Sequence, residues 1–291
     1  KLIPPLLALA WGLNWPAVKI ALSQWPPFTL RAVGLGAGAL LLLLLAALQR
    51  QPLLPARTAW RGIVAGGLLA VALFNFSTAF AQLSTSTSRA AVLTFTMPLM
   101  SALLAWAWLG ERLTRERTLA LAVGMAGVAV LAWPVLRAGW GGAAPAPWRG
   151  LLLPLLAAFG WAAGTVVLKR WPVPGSRLTV TAWQLLIGSA CGLLAALLTG
   201  EAAPTWPPAP RVVAALLFHV VFATALAYWL WFVLAEHVSA TVSSLTTLAV
   251  PVVGVAGAML LVGDRPAGSD WLGFALVLAG AALSMLQLRR I

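Results

Sequence analysis

Ten apolar runs, each about twenty residues long and separated by short segments of Pro, Gly and basic residues, leave this chain few ways to fold. They fall at about 3–22, 28–48, 60–82, 87–109 and 117–136, then at about 149–169, 179–199, 211–234, 239–262 and 271–288. A helix of about 20 apolar residues spans a hydrocarbon core about 30 Å thick. It also satisfies its own backbone hydrogen bonds where no water is present. Charged residues make up only 9% of the 291 positions, against about 25% in a soluble domain. The expected fold class is all-α integral membrane, with ten transmembrane helices and membrane lipid as the surrounding partner.

The formal charge of +13 would suggest nucleic acid in a soluble protein. Here the bases cluster between the apolar runs, as orienting charges do, so no nucleic-acid partner is expected. Cys191 is the only cysteine, which excludes an intrachain disulfide. Ala8-Leu9-Ala10 has the form of a signal-peptidase site. Two prolines interrupt the short stretch before it, and the segment recurs later in the chain, so cleavage is not expected.

The chain repeats itself. "TFTMPLMSALLAWAWLGERLT" from Thr94 and "TTLAVPVVGVAGAMLLVGDRPA" from Thr246 place Pro98 and Pro251, Gly110 and Gly263, Glu111 and Asp264, and Arg112 and Arg265 each 153 positions apart. "WGLNWPAVK" from Trp11 faces "WAAGTVVLK" from Trp161 at an offset of 150, matching Lys19 with Lys169. Residues 1–138 are expected to form one five-helix repeat, 139–148 a Gly- and Pro-rich linker, and 149–291 the second repeat of a single membrane domain. Five is odd, so the second copy enters from the opposite side, giving two inverted five-helix repeats. With the N-terminus inside, twelve Lys and Arg lie on the inner side and seven on the outer. Both termini are therefore expected to be cytoplasmic. Trp25, Trp60, Trp133, Trp148, Trp171 and Trp271 fall near helix ends, where Trp anchors at the interface.

Several residues inside the runs could carry chemistry. In helix 1, Trp11, Asn14 and Trp15 share a face beside Pro16, suited to a small amphipathic ligand. Hydrogen bonding of Asn14 to a neighbouring helix is the competing reading. Trp161 and Thr165 occupy the matching face of helix 6. Helix 3 aligns Asn75 and Thr78 beside Phe76, and helix 8 offers Trp229 and Tyr228, the only tyrosine; core packing would also explain them. Pro98 and Pro251 each remove a ladder hydrogen bond and are expected to kink or loosen their helices, acting as paired gates. Thr94, Thr96, Ser244 and Thr247 can satisfy the freed carbonyls, and Thr94, Ser244 and Thr247 join the candidate binding wall. His219 and His237 are candidates for titration near neutral pH, although a neutral hydrogen-bonding role is commoner. Gly34 with Gly38, and Gly160 with Gly164, have the spacing of close helix contacts.

Absences narrow the field. No Gly-Lys-Ser/Thr phosphate loop and no His-Glu-x-x-His occurs. All six acidic residues fall in or beside loops, which argues against an intramembrane aspartyl protease or a carboxylate-coupled antiporter. No enzyme activity, cofactor or metal is expected.

The two five-helix halves, "WGLNWPAVK", the mid-helix prolines and the "LGERLT" and "VGDRPA" ends resemble the drug/metabolite transporter (DMT) superfamily, and within it the EamA family of duplicated ten-helix exporters. The many intramembrane aromatics look like those of YddG-type exporters of aromatic and other amino acids. The resemblance implies export of small metabolites across a bacterial inner membrane, through a central cavity walled by helices 1, 3, 4, 6, 8 and 9. Small four-helix relatives use a membrane glutamate in their first helix, where this chain has Asn14 and Trp15. A facilitator of neutral or aromatic amino acids, running without ATP as a monomer or homodimer, is the leading expectation. Broader drug or metabolite efflux, a nucleotide-sugar-type carrier, and a channel or non-transporting scaffold are the alternatives.

Overall fold

The computed structural model describes residues 2–138, 148–231 and 240–287, all helix or connecting loop with no strand among them. Helices are α1 (Ile3–Ala21), α2 (Pro27–Leu48), α3 (Arg57–Ser84), α4 (Thr87–Leu109), α5 (Arg115–Ala138), α6 (Arg149–Arg170), α7 (Arg177–Thr199), α8 (Pro210–Trp231), α9 (Ala240–Val262) and α10 (Gly268–Gln287). Among the described residues, eight helices are long and apolar enough to cross a membrane, and Thr246–Val262 is a shorter apolar helix. The first run falls short of that apolarity because Asn14, Lys19 and three prolines dilute it. The outer surface is apolar: Leu260 is 84% exposed and Leu198 77%, which suits lipid and not water.

The helices pair closely as α5 with α10, α2 with α7, α1 with α9, and α6 with both α3 and α4. Glycine makes these approaches possible. A Cβ on Gly38 would stand 2.4 Å from Thr224, and one on Gly160 2.8 Å from the Leu69 carbonyl. Such distances let helices meet backbone to backbone where the hydrophobic effect gives no drive for association.

Two helices change their winding in mid-course. α3 passes through a π-helical stretch at Gly67–Leu73 and α8 through one at Phe218–Leu226. Side chains meet the backbone carbonyls of these stretches: Asn75 Nδ2 donates to the Val71 carbonyl at 2.9 Å, and Thr224 Oγ1 to the His219 carbonyl at 2.8 Å. π-Helical turns concentrate at functional sites because they rotate the following residues relative to the preceding ones.

The two repeated prolines behave differently. α4 breaks after Thr94 and restarts at Met97, with Pro98 in the first turn of the second piece, where its missing N–H costs little. Pro251 lies inside the unbroken α9. The Gly-acid pairs behave alike. Gly110 and Gly263 end α4 and α9 at φ of 70° and 73°. The following amides, of Glu111 and Asp264, each close back at 3.2 Å on the carbonyls of Ala105 and Ala258. The repeated motif is therefore a left-handed C-cap that places a carboxylate just beyond the helix. An added Cβ at either glycine meets nothing within 4 Å, so only backbone strain opposes it. Gly110→Ala and Gly263→Ala should each cost about 1 kcal/mol, measured by unfolding in detergent.

Candidate functional site

A cavity of about 710 Å³ runs through the middle of the helices. Trp11, Asn14 and Trp15 of α1, Asn75 and Thr78 of α3, Pro98 of α4, Trp161 and Thr165 of α6, Tyr228 of α8 and Thr247 of α9 all line it. Phe76, Thr94, Trp229 and Pro251 do not. Phe76 turns to Phe28, ring centres 5.3 Å apart. Thr94 is buried in its helix, and Trp229 packs in the apolar clusters beside Tyr228 and Trp11. The side chain of Ser244, and His237, lie outside the described residues.

The wall is wider than six helices. Arg31 and Leu35 of α2, Leu185 of α7, and Ser284 and Met285 of α10 also face the cavity. Arg31, one of the seven Lys and Arg that the sequence count assigns to the outer side, is 2% exposed and donates through Nη2 to Thr78 Oγ1 at 3.0 Å. The missed signal is its spacing. Arg31, Gly34, Leu35 and Gly38 share one helical face, and two of the four are glycines that meet α8.

His219 is buried against Gly34 and bonds through Nδ1 to Asn14 Oδ1 at 2.8 Å. An amide oxygen only accepts, so Nδ1 carries the proton in this bond. Asn14 thus contacts the cavity and also joins α1 to α8.

The two ends of the cavity differ. At one end, polar contacts tie the helices together. Asp264 Oδ2 accepts from Ser88 N at 2.8 Å and Ser88 Oγ at 3.0 Å, seating the α9 cap on the start of α4. Lys19 Nζ donates to the Gln82 carbonyl. Arg89 pairs with Asp270 at 3.1 Å. Glu201 accepts from the amides of Phe28 and Thr29 at 2.9 and 2.8 Å, at the first turn of α2, where a carboxylate meets the free N–H groups and the positive end of the helix dipole.

The cavity reaches the other end at Glu111, Arg117 and Lys169. Glu111 stands 3.1 Å from Arg117 and 3.2 Å from Lys169. Glu111 of one copy of the repeated motif therefore meets Lys169 of the other at this end, while Asp264 is seated on Ser88 at the opposite end. Partial burial of Glu111 opposes its ionisation, but Lys169 and then Arg117 prevail and hold its carboxyl below the ordinary 4.5. A depressed carboxyl contributes stability above its unfolded value and loses it as pH falls through the folded one. The difference in thermal midpoint between wild type and Glu111→Gln should be constant from about pH 7 to about pH 5 and shrink in stronger acid. It should be worth only a few tenths of a kcal/mol, since the pair is partly exposed. A difference that does not change with pH would dismiss the pair.

Comparison with known proteins gives a consistent class. The model of the EamA-like transporter family matches residues 5–133 and again 148–286. The chain is 28% identical over 282 residues to the uncharacterized transporter YvbV of Bacillus subtilis, covering 97% of this chain and 90% of that protein. It is 24% identical to a probable amino-acid metabolite efflux pump of Escherichia coli and 26% to one of Salmonella typhimurium, covering 98% of this chain and 94% of the relative in each case. A solved crystal structure shares the fold at a TM-score of 0.64 and 24% identity, over 100% of this chain and 97% of the other.

Proposed function

Because the chain belongs to the EamA-like transporter family, we propose that it exports neutral and aromatic amino acids across a bacterial inner membrane by alternating access. The observation that carries this reading is the cavity. At about 710 Å³ it lies within the range of small-molecule sites. Indole rings of Trp11, Trp15 and Trp161 offer apolar surface, while Asn14, Asn75 and Thr78 offer a few fixed polar groups. The names carried by the Escherichia coli and Salmonella relatives point the same way.

Ten crossings arranged as inverted repeats, 1–138 and 149–291, account for the close pairs of helices. Under a shift of five helices α5–α10 and α2–α7 map onto themselves, and α1–α9 maps onto α6–α4. The two π-helical stretches, in α3 and α8, and the two Gly-acid caps, in α4 and α9, obey the same shift. Counting Lys and Arg puts both termini, with Lys169 and Glu111, on the cytoplasmic side. The cavity then faces the cytoplasm and the Asp264–Ser88 end is closed. Exchanging which cap is seated would open the opposite face. Among the described residues, the only carboxylate lining the cavity is Glu111 at its cytoplasmic mouth, so the carrier runs as a facilitator.

Purified protein in liposomes tests the reading. Saturable counterflow of leucine, phenylalanine or serine is expected, indifferent to an imposed pH difference. Folded protein with no saturable amino-acid flux would end the proposal. Uphill accumulation that collapses with a protonophore would end the facilitator alone.

A further inference from the structure

Among the described residues, one cation lines the cavity apart from the Glu111, Arg117 and Lys169 cluster. Arg31 stands one turn into α2, buried, with Asn75, Thr78 and His219 along the same wall. Its Nη2 donates to Thr78 Oγ1 at 3.0 Å, and that hydroxyl donates onward to the Asn75 carbonyl at 2.9 Å, so Thr78 holds the guanidinium in place. Nε and Nη1 have no hydrogen-bond partner among the described residues. A guanidinium carries five N–H donors and stays protonated in proteins.

No carboxylate of the described residues neutralises it. Asp264 is seated on Ser88, Asp270 pairs with Arg89, Glu201 caps α2, and Glu111 is held by Arg117 and Lys169. A buried charge without a counter-ion is costly, and ionisable groups within a membrane mark substrate paths. Free donors on a fixed cation in a cavity wall are suited to receive an oxyanion.

We propose that Arg31 binds the carboxylate of the transported molecule through its unpaired N–H donors. The inference rests on the export reading above and names the group every cargo must carry. The chemistry recognised is an oxyanion, and the flat fork of a guanidinium matches a carboxylate. An apolar side chain then falls toward Trp11, Trp15 and Trp161. Amino acids enter the site, while their amides and the amines left by decarboxylation do not.

Equilibrium binding to the detergent-purified protein tests this apart from transport. Radiolabelled L-phenylalanine and L-leucine serve as probes; unlabelled phenylalanine, phenylalaninamide, phenethylamine and inorganic phosphate serve as competitors. Phenylalanine should compete at least about tenfold better than the amide or the amine, the scale of a lost charge-assisted hydrogen bond. Arg31→Gln should raise the dissociation constant at least about tenfold, and Arg31→Lys by less, because it keeps a point charge without the fork. Thr78→Val keeps the cation, removes its support and should weaken binding several-fold, so the test survives if Arg31→Gln fails to fold. Equal competition by the amide or amine overturns the proposal, as does wild-type affinity in both Arg31→Lys and Thr78→Val, or no binding of either probe. Stronger competition by phosphate than by phenylalanine overturns the carboxylate assignment in favour of a phosphorylated cargo. Carboxylate-dependent binding without counterflow keeps Arg31 in this role and removes the export reading.

Discussion

Gly280→Val should destabilise the protein by about 3 kcal/mol, the upper part of the range for overpacking a tight contact. A Cβ on Gly280 would stand 2.6 Å from both Cα and N of Gly124 and 2.8 Å from the Ala120 carbonyl, all of them backbone atoms that cannot turn aside. α5 and α10 would have to separate, loosening Val128, Leu131, Phe274 and Val277 in the cluster beside them. Gly268→Ala, at the start of the same helix, meets nothing within 4 Å and should leave stability unchanged. Unfolding midpoints of the two variants in detergent decide the matter. Equal midpoints would mean that the α5–α10 contact does not hold the fold.

Asp264→Ala should have the largest effect on the conformational equilibrium. It removes the carboxylate that accepts from both Ser88 N and Ser88 Oγ, and with it a charge acting on Lys19. Loss of such a helix cap costs about 1 kcal/mol, and up to about 2. If that contact exists only while this face is closed, a loss of about 1.4 kcal/mol shifts the population about tenfold toward the state open there. Glu111→Ala should shift it the other way, since Glu111 is the counterpart of Asp264, 153 positions earlier, and lies at the opposite end of the cavity. A thiol probe placed in the cavity would read both shifts from the outer face. Shifts of the same sign in the two variants would show that the caps are structural ends and not alternating latches.

Much of this was legible before any coordinates. The apolar runs mark the helical membrane class, because few other arrangements satisfy the backbone in lipid. The face shared by Trp11, Asn14 and Trp15 was readable because three- and four-residue spacing is a property of the helix itself. What the spacing could not supply was rotation about each helix axis. Asn75 and Phe76 are neighbours in sequence, yet Asn75 lines the cavity and Phe76 packs on Phe28. The π-helical stretch just before them alters that rotation and has no clear sequence mark. Sequence reading assigns Arg31 to the outer orienting charges because a basic residue near a helix start usually orients the chain. The glycines on its face show that this side packs inward. The repeat aligned Lys19 with Lys169 and Glu111 with Asp264, but pairing between different copies depends on how the two halves are assembled.

Access to the cavity from one side at a time is the central claim. In a Cys191→Ser background, which removes the chain's only cysteine, Asn75→Cys places one thiol in the cavity wall. An impermeant thiol reagent is then added to either face of oriented membrane vesicles, with and without saturating amino acid. Reaction from the cytoplasmic face alone in the absence of cargo, with reactivity appearing at the outer face when cargo is supplied, is the predicted result. Equal reaction from both faces regardless of cargo would contradict it and make the cavity a channel.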